Sequence, residues 1–288
     1  MSRGNRESAS GNLKGSMRDN YSEYGVEEYY RKVGATYRNP HFPGVRSCLF
    51  LWFNSWWTSE RENAPPHDLV LFDMACDSGE VTLSFMEWWK LGRTTYDELL
   101  AHSTPNPVEW TAQVVTPRKE TVKPCRPPPI NSEHPRPIIL AADPYTAEAY
   151  QSRTKLACAT LSFRDIAEGR MPGKITEDVT TDLSSDPNTQ PDDASPPEDK
   201  NKCIDMVICS FALHLIETPS ELFALLWELS TRCRWLIILA PHKRPEIKDG
   251  WGWCKWDVES WSECAMSETR GELLQERVHC RVYRSLNV

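Results

Sequence analysis

Three carboxylates stand out by position. Asp73, Asp143 and Asp165 each close a short run of mostly apolar residues. Asp73 ends the run from Leu69 and is followed by Met74-Ala-Cys-Asp-Ser-Gly79. Asp143 ends Pro137-Ile-Ile-Leu-Ala-Ala142 and is followed by Pro144 and Tyr145. Asp165 ends a run from Thr160 and precedes Ile166. An apolar run that stops at an acid and a small-residue turn reads as a buried strand entering a helix. At such a junction the helix offers free N–H groups, and the turn lets a nucleotide-like ligand approach backbone closely. A carboxylate there is an acceptor-only group with two oxygens, suited to hydroxyl and amino donors.

Two further strand ends carry candidate chemistry. The run Ile204–Cys209 leads into Ser210-Phe-Ala-Leu-His214. His214 reads equally as a base or substrate contact and as a structural hydrogen-bonding residue. The run Arg234–Ala240 leads into Pro241-His-Lys-Arg-Pro245. This places His242 to line the same cleft, with Lys243 and Arg244 as receivers of an anionic group or as solvated charges.

The elements that must hold these residues alternate. Strands are expected at 69–73, 137–143, 160–165, 204–209 and 234–240, and a late alternating strand at 275–285 suits a sheet edge. Helices are expected at 79–91, 146–157 and 219–231. Thr218 is the N-cap of the last, with Pro219 first in the helix and Glu221 at N3. Strands alternating with helices imply an α/β fold with a doubly wound, mostly parallel sheet covered on both faces. Ligands of such sheets sit outside the carboxyl ends of the strands, where the strand order switches direction.

This layout resembles the class I S-adenosylmethionine-dependent methyltransferases, over residues 68–288 without two insertions. The resemblance rests on Asp73 with the turn Ala75, Cys76, Ser78 and Gly79, on Asp143, on Asp165-Ile166, and on Ser210-Phe-Ala-Leu-His214. It implies S-adenosyl-L-methionine as cofactor. The turn backbone would hold the methionine part, and Asp143, beside Pro144, the ribose hydroxyls. Asp165 would take the adenine amino group while Ile166 covers the ring. Ser210 and Phe211 would lie beside the sulfonium. Where the family commonly has three glycines at alternate positions, this chain has Ala75, Asp77 and Gly79. Ala75 keeps the close approach if its φ is negative; Asp77 adds negative charge beside the expected cofactor carboxylate. A dinucleotide-binding dehydrogenase fits less well, since Gly-x-Gly-x-x-Gly is absent.

The N-terminal part divides into a polar tail, 1–20, expected to be disordered, and a helical segment, 21–66, expected to cover the cofactor as a lid. Helices are expected at 21–33 and 45–57, with a proline-stiffened loop at 37–43 between them. The lid would bring Tyr30, Tyr37, Asn39 and His41 to the substrate, with Arg38 pairing a cofactor carboxylate or anionic substrate group. The alternative is that this loop merely packs aromatics. Trp251 opens Trp251-Gly-Trp-Cys-Lys-Trp256. It reads as an aromatic wall for a flat or cationic acceptor or as a seal of the late strand against the core.

Residues 67–288 form the expected methyltransferase domain. A Pro-rich insertion spans 101–136 and an acidic loop, expected to be disordered, spans 170–202. Net charge is −8. The stretch 171–202 holds eight acidic and three basic residues, so the rest of the chain is only mildly acidic. No basic stripe with interleaved aromatics argues for a phosphate-backbone partner. No apolar run is long enough to cross a membrane, and no apolar leader opens the chain, which points to a cytoplasmic or nuclear setting. The ten cysteines show no Cys-x-x-Cys spacing, so they read as reduced thiols rather than a metal site. The expected acceptor is a small molecule. The alternatives are methylation of RNA or protein, and a non-catalytic scaffold on the same fold.

Overall fold

The computed structural model describes residues 23–25, 28–30, 33, 38–62, 64, 67–103, 125–173 and 203–288. Tyr37, the tail 1–20 and most of the acidic loop lie outside them, as does 104–124 of the Pro-rich insertion. The sheet has eight strands: β1 Val70–Met74, β2 Ile138–Ala142, β3 Ile204–Ser210, β4 Cys233–Ala240, β5 Trp253–Asp257, β6 Ser262–Cys264, β7 Leu273–Gln275 and β8 Val278–Ser285. Their order is β2-β1-β3-β4-β8-β5-β6, with β7 paired to β8 outside that path. The first four run parallel. β8 is antiparallel to both β4 and β5. The sheet is therefore mixed and mostly parallel, with helices on it.

Strand β1 has β2 on one side and β3 on the other. The chain leaves β1 in one direction and crosses back over it to reach β3. This is the switch in strand order, where sheets of this kind form their ligand crevice, here beyond Met74 and Ser210. All five residues of β1 are buried. One core layer packs α1 (Phe42–Trp56) and α2 (Glu80–Ser103) on one face through Phe53, Phe85, Trp88, Trp52 and Trp235. The other layer packs α5 (Pro219–Ser230) through Leu222, Leu225, Leu226 and Leu229. Helix α3 (Ala147–Thr154) follows β2, and the short α4 (Phe163–Ala167) precedes the acidic loop.

Several expectations stand. Thr218 caps α5, its hydroxyl accepting from the Glu221 N–H at 3.2 Å, with Pro219 in the first turn. The described residues among 23–33 are helical. Helix α1 begins at Phe42, earlier than the expected Val45, because Asn39 makes the turn: its side-chain oxygen accepts from the His41 N–H at 2.9 Å. Helix α2 runs on to Ser103, past the expected Leu91.

Four differ. The stretch 160–165 is not a strand; Ala159 makes one isolated bridge to Ala142, and Ser162 then caps α4. The second half of the Pro-rich insertion packs on α2. Ile130 is fully buried, donates its N–H to the Gly92 carbonyl at 3.0 Å, and sits where a Cβ on Gly92 would meet it at 2.5 Å. The late strand is not a sheet edge, since β8 has β4 and β5 on its two sides. The tryptophan-rich stretch supplies a strand of its own, β5.

Candidate functional site

The crevice begins with the turn after β1. Ala75, Asp77 and Gly79 have φ of 54, 49 and 90°. Three alternate residues thus sit in the left-handed region, where only glycine is at ease and aspartate is tolerated better than most. The condition set for Ala75, a negative φ, is therefore not met. At Gly79 no side chain fits, because a Cβ would lie 2.5 Å from Thr154 Cγ2 and 3.2 Å from the Tyr150 ring. The turn closes by the Gly79 N–H donating to the Cys76 carbonyl at 2.8 Å. The side chains of Cys76 and Ser78 face the protein. Cys76 touches Cys158, and the Ser78 hydroxyl donates to Glu80 at 2.8 Å and accepts from Arg153 at 2.8 Å. Of these two residues, only backbone is left for a ligand.

Asp73 is fully buried, and its Oδ2 accepts from the Thr82 N–H at 3.1 Å and the Thr82 hydroxyl at 2.7 Å. That hydroxyl also meets Tyr150 Oη at 2.9 Å. Burial pushes the Asp73 carboxyl up to about 8, against the Thr82 hydrogen bonds; Glu80 and Asp143 add to the rise. Asp77 is likewise raised, first by burial and then by Glu80, Asp143 and Asp73. Four carboxyl groups therefore share one small volume.

Among the described residues nine buried side-chain polar atoms lack a hydrogen-bond partner, and three of them belong to this region: Oδ1 of Asp73, Oδ1 of Asp77 and Oγ of Ser210. They stand at the carboxyl ends of two neighbouring strands, since Met74 pairs with Cys209 and Ser210 follows directly. An unmade hydrogen bond at a buried acceptor costs about 1–3 kcal/mol, so such atoms mark where a donor-bearing ligand would gain most. Glu80 is paired with Arg153 at 2.6 Å; the remaining carboxyl groups, when ionised, favour a cationic ligand and disfavour phosphate.

Asp143 ties two turns together. Its Oδ1 accepts from the N–H groups of Tyr145 at 2.8 Å and Thr146 at 2.9 Å, and its Oδ2 from the Asp77 N–H at 3.2 Å. Of roughly four acceptor positions on a carboxylate, one is left for a ligand. Pro144 is half-buried beside it.

Aromatic rings from the N-terminal segment lie over the strand ends. Tyr30 is stacked on Tyr145 at 6.1 Å between ring centroids, and His41 on Phe211 at 5.1 Å. Tyr29 is fully buried, and its hydroxyl is raised by burial and by Asp77. Residues following β1, β2 and β3 are thus each met by a residue of 29–41. Phe211 has φ of 58°, a strained value for a bulky residue that aims its ring at His41. Arg38 is exposed and Asn39 buried.

The two histidines expected at the cleft mouth do come together, with ring centroids 5.9 Å apart. His214 presents its outer edge to solvent. The protein around its inner edge, and then the His242 ring, hold it below the usual histidine range. The loop bearing His242 is fixed by the buried Arg281, which donates to the carbonyls of Lys243, Arg244 and Pro245 at 3.1, 3.1 and 2.8 Å.

Three expected site residues do other work. Asp165 is N3 of α4: its Oδ2 accepts from the Ser162 N–H and hydroxyl at 2.8 and 2.7 Å, and its Oδ1 pairs with Arg170. These three bonds leave at most one acceptor position, on the oxygen that Arg170 already holds. Ile166 is a core residue packed on the α5 side of the sheet. Trp251 packs against Phe223 of α5 at 5.8 Å, on the helix face rather than in the crevice. Spacing alone does not separate Tyr29 from its aromatic neighbours and does not point to Thr82. The Thr82 signal is present, since a hydroxyl in the first turn of the helix after Asp73 caps that acid from below.

All ten cysteines are free thiols. Among the described residues no group of three or more His, Cys, Asp or Glu is arranged to hold a metal ion, and no helix is long and apolar enough to cross a membrane.

No protein-family model matches the chain. An uncharacterized protein of Schizosaccharomyces pombe is 40% identical over 273 residues, covering 95% of this chain and 93% of that one. Among solved structures, the chain is similar to magnesium protoporphyrin IX methyltransferase of Synechocystis with bound SAM, at TM-score 0.39 and 11% identity over 95% of this chain and 100% of that one. It is also similar to the N-methyltransferase NodS of Bradyrhizobium japonicum in complex with S-adenosyl-L-homocysteine, at TM-score 0.34 and 10% identity over 93% and 97%. Both scores are low, so the chain's own geometry carries the functional reading.

Proposed function

This chain belongs to one family with the Schizosaccharomyces pombe protein, and we propose that it is a methyltransferase that uses S-adenosylmethionine. The observation that carries this is the set of unpartnered buried acceptors, Asp73 Oδ1, Asp77 Oδ1 and Ser210 Oγ, at the switch in strand order. They suit a ligand with ammonium and hydroxyl donors and a net positive charge. The turn 75–79 and its acidic surroundings fit S-adenosylmethionine and oppose a dinucleotide pyrophosphate.

In this reading the turn backbone and Asp73 hold the amino-acid end. The remaining lone pair of Asp143 takes one ribose hydroxyl rather than both. Phe211 stands at the sulfonium, and Tyr29, Tyr30 and His41 form a lid that excludes water. The bound cofactor supplies an electrophilic methyl group. The chain supplies position, desolvation and, at the mouth, the imidazole of His214, held below the usual histidine range and able to accept a proton from the methyl acceptor. Among the described residues the cleft mouth bears no long basic track, which supports a small acceptor over nucleic acid.

Calorimetry tests the reading. The full chain should bind S-adenosylmethionine and S-adenosylhomocysteine at one site and show no heat with a nicotinamide dinucleotide. Absence of binding by either adenosyl compound removes the enzyme reading in favour of a scaffold on this fold.

A further inference from the structure

We infer that Cys76 and Cys158 are an oxidation-sensitive pair whose disulfide displaces the turn after β1. Their sulfurs are 3.4 Å apart. Among the described residues no other two thiols are in such contact. The two approach β2 from opposite sides: the Cys76 N–H donates to the Ala142 carbonyl at 3.2 Å, and the Ala159 N–H, next to Cys158, to the Ala141 carbonyl at 2.9 Å. The small side chain of Ala141 lets the sulfurs meet above the strand, in an apolar pocket closed by Tyr150 and Leu156.

A disulfide holds its sulfurs at about 2.05 Å, so each must give way by several tenths of an ångström. The Cys158 side can move. It is half-buried and follows Lys155, a left-handed helix end with φ of 63°. The Cys76 side has little slack. It lies between two residues already at positive φ, and its carbonyl accepts from Gly79. The share of the closure that Cys76 takes up therefore falls on Asp77, the next residue, whose N–H reaches Asp143 at only 3.2 Å.

The chemistry needs a peroxide. Cys158, the less buried sulfur, attacks one peroxide oxygen and the O–O bond breaks, leaving a sulfenic acid and one water. Cys76 sulfur then displaces the sulfenic hydroxyl, which leaves as the second water with the thiol proton. Two thiols are oxidised and one peroxide is reduced. Burial raises the Cys76 thiol, with Cys158 and Asp73 adding to it, so Cys76 acts second and slowly.

The link to ligand binding rests on the proposed function; the cross-link does not. The full chain is treated with hydrogen peroxide, alkylated, digested and weighed by mass spectrometry, and its affinity for S-adenosylhomocysteine is measured before and after. The expected product is a Cys76–Cys158 linked peptide, reversed by dithiothreitol and absent in Cys158→Ser and Cys158→Ala. Affinity should fall by about tenfold, the worth of one hydrogen bond to a charged group. The inference is overturned if Cys76 stays open to alkylation, if it pairs with another cysteine, or if the linked form binds as tightly as the reduced one. A reduced chain that binds no S-adenosylhomocysteine overturns the cofactor reading instead, and the mass spectrum alone then decides the thiol pair.

Discussion

Replacing Asp73 by asparagine should raise stability at alkaline pH and weaken ligand binding at once. The carboxyl is fully buried, with its folded value near 8 against 3.8 for an ordinary aspartate. A group whose folded value is raised holds a proton that the unfolded chain has released. Its contribution is fully present below about pH 4 and is lost as pH climbs through 8. Between pH 5 and pH 8 the loss is on the order of 4 kcal/mol. A neutral amide at this position carries no such burden, so Asp73→Asn should show a pH dependence of unfolding flatter by that amount. Both Thr82 donors point at Oδ2, which obliges the amide oxygen to sit there. Above pH 8, where the aspartate is ionised and Oδ1 accepts, the NH2 stands in its place and a ligand donor meets a donor. Affinity for S-adenosylmethionine should then drop by roughly 1–3 kcal/mol, about five- to 150-fold. Urea unfolding at several pH values and calorimetry on both proteins supply the data. Parallel stability curves for the two, or unchanged affinity, would refute the reasoning.

Other substitutions separate frame from site. Gly79→Ala should cost about 2–4 kcal/mol in urea unfolding, because the new methyl meets Thr154 and Tyr150 at a φ of 90°. Asp165→Ala should lower the melting temperature by a few degrees through the lost cap of α4 and leave S-adenosylhomocysteine affinity unchanged; a large loss of affinity would restore Asp165 to the site. His214 should titrate below free histidine by NMR, and His242→Asn should move it part of the way back, since His242 is the second cause of its shift. An unmoved titration would show that the two rings do not interact. Arg281→Met should release the loop 241–245, seen as faster amide exchange there with β8 otherwise intact.

The parallel core of the sheet was legible because its strands are apolar throughout, and the crevice because acids and small residues sit where those strands stop. What misled was local. Leu161, Phe163 and Ile166 resemble a strand by content, yet Ser162 and Asp165 stand three apart as a helix cap, and the cap won. The strand β8 looked like an edge because polar and apolar residues alternate along it, Arg281 and Arg284 among the polar ones. The first is instead buried on three carbonyls and the second lies over the rings of Trp235 and Trp256. The left-handed turn at Ala75 could not be read from alanine. Contacts between Tyr30 and Tyr145 or His41 and Phe211 join segments far apart in sequence, and residue types alone say nothing of which ring meets which.

A structure of the full chain grown with S-adenosylhomocysteine tests the central claim most directly. The ligand should lie beyond Met74 and Ser210, its amino group at Asp73 Oδ1, with Phe211 beside the sulfur and Tyr29 above the turn. A ligand bound elsewhere, or a crevice filled by ordered water at saturating concentration, would contradict it.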